Sequence, residues 1–139
     1  MHIISIPLIQ VISTALIMFI VGVLWYSPIV FGHMYKRLSG VTSEMKPVGK
    51  KMYITFGLAF LGNIVMSYVL GIVIINSVVF TLIQGMMIGF WMWLGFIAPV
   101  FLSQYLWATH KKPLVVYLID LGQLLVTLLI GSAILSLII

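Results

Sequence analysis

Asp120 is the one acidic side chain set inside a long apolar stretch of this sequence. A carboxyl in hydrocarbon is costly and needs a reason to be there. Either it takes up a proton or a cation, or it is a hydrogen-bonded tie between helices, or it snorkels back towards the nearby basic pair Lys111 and Lys112. Gln123 follows on a neighbouring helical face, and Asn63, Gln84, Ser67 and Thr127 are further polar side chains in apolar surroundings. An amide left unpaired in oil costs several kcal/mol, so these groups must face protein or water. Asp120, Gln123, Asn63, Gln84, Ser67 and Thr127 therefore form the expected intramembrane polar site. Gln84 is placed to reach Asn63, although a bond between helices is the plainer role for it.

Other reactive patterns do not assemble. With Cys 0 there is no thiol nucleophile and no thiolate metal site. His2 is terminal, and His33 and His110 stand in basic loops without the spacing of a ligand set, so no metal site is expected. Ser103, His110 and Asp120 can be drawn as a triad, but no nucleophile-elbow sequence surrounds the serine. Gly-rich phosphate loops are absent as well. No catalytic residue and no cofactor is expected. Ser13 and Thr14 are expected to bond back to carbonyls of their own helix.

The elements that hold these residues follow from the solvent. The chain is 63% hydrophobic and 6% charged, too apolar for its surface to be covered in water. Lipid is the solvent, and every backbone polar group must be satisfied internally. A barrel would need short alternating strands, whereas these stretches are apolar all round for a helical span each. The fold class is all-α: a polytopic membrane protein with four transmembrane helices in one domain. The spans are expected over 7–26, 52–75, 78–101 and 114–136, joined by loops at 27–51 and 102–113. The first stretch lacks a basic start and a small-x-small cleavage site, so it is expected to stay as a span. Between Met52 and Thr109 no side chain is charged, which is room for two crossings with a turn near Asn76 and Ser77. Pro99 would kink the second of these crossings. After the first span, a short interfacial helix is expected near Pro28 to Leu38, with Ile29, Val30, Phe31 and Met34 dipping into lipid.

Charge sets the orientation. Lys36, Arg37, Lys46, Lys50 and Lys51 fall in the first loop and Lys111 and Lys112 in the last, which accounts for all 7 basic side chains. The positive-inside bias then puts both loops in the cytoplasm and both termini outside the cell membrane. The net charge of +5 is explained by this topology and by anionic lipid headgroups at the loops, so nucleic acid is not an expected partner.

Two stretches resemble each other. Leu61, Gly62 and Asn63 align with Leu121, Gly122 and Gln123, Ser67 with Thr127, and Gly71 with Gly131. More loosely, Gly22, Trp25, Pro28 and Phe31 align with Gly89, Trp93, Pro99 and Phe101. This reads as two helical hairpins in parallel orientation, each with a polar, small-residue stripe at helical spacing. Gly85 and Gly89 make a small-xxx-small step for close helix approach. The Met residues of the third span are packing material, and Trp91, Trp93, Phe96, Tyr105 and Trp107 combine bundle packing with an interfacial belt.

The run Gly22, Trp25, Tyr26, Ser27, Pro28, Phe31 and Gly32, followed by Tyr35 and a basic pair, has its own signature. Physically it is a helix end where Trp25 and Tyr26 anchor at headgroup level, Ser27 and Pro28 turn the chain, and Phe31 and Gly32 re-enter the surface layer. It resembles the signature of a family of small bacterial membrane proteins catalogued as domain of unknown function 1761, or DUF1761. The likeness extends in weaker form over the four-span plan and the segment around Trp93 to Phe96; Tyr35 stands where that family often has Trp. The resemblance implies architecture and membrane location and no activity.

Three functions are compatible with these residues. The first is a small transporter or channel-like homo-oligomer with a midplane polar site. The second is an accessory subunit of a membrane complex, docking through the Trp25 to Gly32 corner. The third is a lipid-headgroup enzyme using Asp120 with His33 or His110.

Overall fold

In the computed structural model, residues 5–40, 48–79 and 81–139 are described. His2, Glu44 and Lys46 lie outside them. Six α-helices follow in order: α1 (Leu8–Trp25), α2 (Gly32–Ser39), α3 (Lys50–Asn76), α4 (Leu82–Met92), α5 (Ala98–Trp107) and α6 (Leu114–Ile138), with a π-helical turn over Trp93–Ile97 joining α4 to α5. Four stretches are long and apolar enough to cross a bilayer: Leu8–Trp25, Lys50–Asn76, Leu82–Trp107 and Leu114–Ile138. At the helical rise the 27 residues of α3 span roughly 40 Å, which exceeds a hydrocarbon core of about 30 Å.

The boundaries have local causes. α4 opens later than the hydropathy suggests because Thr81 caps it: its hydroxyl accepts from the Gln84 amide N–H while the Gln84 side-chain oxygen accepts from the Thr81 N–H. Gln84 is thus part of a helix start at the end of the bundle away from the basic residues, and the expectation that it joins Asn63 is corrected. The π turn accommodates Pro99, which has no N–H to give: the Ala98 N–H bonds back to the Trp93 carbonyl, one residue further than an α-helix reaches. The interfacial helix starts at Gly32, not Pro28, and ends on Gly40 in the left-handed region at φ 70°. Val78, at φ 51°, is the non-glycine residue in positive φ in the turn between α3 and α4.

α6 is the central helix, packed against α1, α3, α4 and α5 and touched by α2. α1 runs antiparallel to it: the Gln10 side chain donates to the Ile138 carbonyl at 2.7 Å, and the Trp25 indole to the Ile119 carbonyl at 3.0 Å. α4 approaches α6 so closely that a methyl group added at Gly89 would meet the Leu128 carbonyl oxygen at 2.7 Å. Ser132 and Ser136 of α6 meet Gly89 and Gly85 in the same seam.

Both small-residue stripes turn towards α1. The Ser67 hydroxyl donates to the Val11 carbonyl at 3.1 Å, and a methyl at Gly71 would strike Ile6 at 2.7 Å. On α6, a methyl at Gly131 would meet the Met18 sulfur at 2.8 Å. The stripes of α3 and α6 thus share α1 as a partner.

Packing is uneven along the membrane normal. Away from the basic end, Val11, Thr14, Ala15 and Met18 of α1 are sealed against Ser67, Leu70 and Ile74 of α3 and Thr127, Leu128 and Leu135 of α6, all buried. In the basic half, the buried residues among those described are Gly32, Val116 and Ile119. The helices are close-packed at one end and parted at the other.

Candidate functional site

The parted end holds a cleft between α1, α3 and α6, of about 460 Å³. Met18, Phe19, Gly22, Val23 and Tyr26 line it from α1, Thr55, Phe56, Ala59 and Asn63 from α3, and Gln123 from α6. Tyr26 and Thr55 sit near the basic end. Asn63 lies roughly 20 Å along α3 from Lys50, close to the middle of the hydrocarbon. Asn63 and Gln123, singled out in the sequence, thus line one cavity. Ser67 and Thr127 lie deeper, in the packed seam, and Gln84 lies apart in a shallow depression with Ser77, Met87 and Trp91.

Each polar side chain of the cleft spends a hydrogen on another group. The Asn63 amide donates to the Ala59 carbonyl at 2.9 Å, and the Gln123 amide to the Thr127 hydroxyl at 2.8 Å. Thr55 donates to the Lys51 carbonyl at 2.8 Å. The Tyr26 phenol donates to an Asp120 carboxylate oxygen, which joins the end of α1 to α6 at the rim. Asp120 is therefore a hydrogen-bonded tie in this structure, with Lys112 within electrostatic reach. Tyr35 of α2 packs edge-on to Tyr26, ring centroids 5.1 Å apart. Burial, and after it the charge of Asp120, push the Tyr35 phenol above its ordinary value.

The corner from Gly22 to Gly32 faces inward. Trp25 gives its indole N–H to α6, so it is not the free headgroup anchor expected of it, and Phe31, expected to dip into lipid, packs tilted against the Trp25 ring at 4.7 Å. Ser27 hydrogen-bonds the Leu24 carbonyl, and its own carbonyl receives the Val30 and Gly32 N–H groups; Pro28 stands between, in the turn. A methyl at Gly32 would meet the Tyr26 carbonyl oxygen at 2.5 Å, so only glycine fits there. Gly22 lets Gln123 approach: a methyl there would lie 3.2 Å from its amide nitrogen. Of the motif residues, Gly22 and Tyr26 line the cleft. Ser13 bonds back to Ile9 as expected, whereas the buried Thr14 hydroxyl has no partner among the described residues.

Three apolar spans packed around a fourth, with a cleft between α1, α3 and α6 that the Asn63 and Gln123 amides line, define a multi-pass membrane protein. The profile of the family described as "Protein of unknown function (DUF1761)" matches residues 9–136. The chain belongs to that family. No curated protein and no solved structure matches it.

Proposed function

We propose that this chain is a small transporter whose solute site is the cleft between α1, α3 and α6. The single observation that carries this reading is that the amides of Asn63 and Gln123, on two different spans, line one cavity that extends to Tyr26 and Thr55 near the basic end. Its volume lies in the range of small-molecule sites, roughly 300 to 1,000 Å³. A structural bundle gains nothing by keeping such a cavity, since unfilled space beside amides forfeits packing and desolvates polar groups. The seal beyond Met18 makes a continuous channel the poorer form of the reading; a solute would cross by a change in which end is packed. The basic end is the cytoplasmic one in this proposal, with both termini outside the cell membrane.

The chain works as a homo-oligomer in this reading, which the third span supports. The π turn and α5 bury none of their residues, and Phe96, Leu102 and Leu106 face outward. The docking reading of the Trp25 corner is weakened because its aromatic groups are already spent on α6. The enzyme reading is weakened because the carboxyl's hydrogen-bond partner is Tyr26 and not a histidine.

Purified protein in proteoliposomes tests the proposal, with uptake of three labelled solutes followed: an organic ammonium ion, a neutral alcohol and a carboxylate. Uptake of at least one above protein-free vesicles, reduced by Asn63→Leu and by Gln123→Leu, is the expected result. Uptake of none, or uptake indifferent to both variants, contradicts it.

A further inference from the structure

We infer that the cleft selects protonated organic amines. The inference rests on the transporter reading for its biological use but concerns binding alone. It follows from a count of hydrogens. A hydroxyl has one hydrogen to give, and those of Thr55 and Tyr26 are given to the Lys51 carbonyl and to Asp120. Both oxygens therefore meet a ligand only as acceptors. The Asn63 amide cannot be reversed, because its partner is a backbone carbonyl, which only accepts; one hydrogen of the nitrogen is held there, and the side-chain oxygen and the second N–H are left over. Gln123 bonds the Thr127 hydroxyl, which both donates and accepts, so this amide can present either its oxygen or its nitrogen to the cleft.

Three oxygens that accept, those of Thr55, Tyr26 and Asn63, thus belong to the side chains of one cavity, against which stand the second N–H of the Asn63 amide and the free end of Gln123, and none of its lining residues is basic. Phe19 and Phe56, set edge to face at 6.1 Å, add aromatic walls whose negative ring faces attract cations. An anion meets no fixed cation inside. A neutral alcohol satisfies one or two acceptors. An ammonium group supplies three hydrogens and a charge, and its carbon body fits the apolar remainder of the wall. The carboxylate of Asp120, behind Tyr26, adds negative potential at the rim, partly offset by Lys112.

The test uses the full chain in lipid nanodiscs and three probes of one shape: phenethylammonium, 2-phenylethanol and 3-phenylpropionate, with binding read by calorimetry and by competition. Phenethylammonium is expected to bind at least about tenfold more tightly than the other two, the advantage of hydrogen bonds to a charged donor. Asn63→Leu and Thr55→Val are each expected to reduce that preference while thermal melting in detergent stays close to the parent's; Thr55 is at the rim and its replacement is isosteric, so it reports even if the midplane variant fails to fold. Equal binding of amine and alcohol, or preference for the carboxylate, overturns the inference. Tight amine binding without any flux in proteoliposomes sustains it and removes the transporter reading. Flux of the alcohol or carboxylate without amine preference does the reverse.

Discussion

Trp25 of α1 and Trp93 of the π turn donate their indole N–H groups to carbonyls close together on α6, those of Ile119 and Leu121, at 3.0 and 2.9 Å. Two spans reach the central helix from their own sides with the same side chain. Each ring fastens its span to α6. Trp25→Phe or Trp93→Phe keeps most of the apolar contact and loses the hydrogen bond, which should cost about 1 kcal/mol each. Thermal melting in a fixed detergent checks it; loss of less than a few tenths for both would show that the indole N–H groups are satisfied equally well by solvent.

The α4 to α6 seam depends on glycine. Gly89→Ala places a methyl against the Leu128 carbonyl and the Ser132 hydroxyl, and should destabilise by about 1 to 3 kcal/mol. At Gly57 and Gly62 nothing lies near an added methyl, so alanine there should be neutral or stabilising by helix propensity. Comparing the three melts separates close approach from composition; equal effects would count against the seam.

Val78 is exposed and held in the left-handed region, which a β-branched residue resists. Val78→Asn should raise stability by up to about 1 kcal/mol, because asparagine tolerates that conformation. A drop in melting temperature would mean the valine side chain is packed by something beyond the monomer.

Tyr35 gives a pH signature. Burial first, and the Asp120 charge second, raise its phenol above the usual value near about 10. A raised value favours the neutral phenol in the folded state, so its contribution is full below the unfolded value and is lost as pH rises through the folded one. Carbon NMR of labelled tyrosines should show Tyr35 titrating late, and earlier in Asp120→Asn. No change in that variant would remove Asp120 from its surroundings.

Much of this was legible in the residues, for reasons that differ. Four spans follow from hydropathy alone, since lipid leaves a helix no alternative. The start of α4 was legible too, in the Thr81 to Gln84 capping box, although hydropathy masks it by running apolar residues straight through Val78. Asn63 and Gln123 were legible as amides in apolar spans, but that they line one cavity depends on helix rotation, and helices apolar all round carry no stripe strong enough to fix it. The partnership of Tyr26 with Asp120 joins distant points of the chain and had no local signal. The same holds for the inward turn of Trp25: an aromatic pair at a helix end reads as a lipid anchor until a neighbouring carbonyl is in view.

Under the proposed function, water and solute enter between α1, α3 and α6 from the basic end and stop at Met18. The chain has no cysteine, so single thiols can be placed on it without background. Ala59→Cys lines the cleft, Leu58→Cys faces lipid, and Thr14→Cys lies in the packed seam. With a membrane-impermeant thiol reagent applied to oriented vesicles, Ala59→Cys should react from the basic side only, and much faster than the other two. If Ala59→Cys is as inert as Leu58→Cys, or reacts from the opposite side, the cleft is not the entrance described.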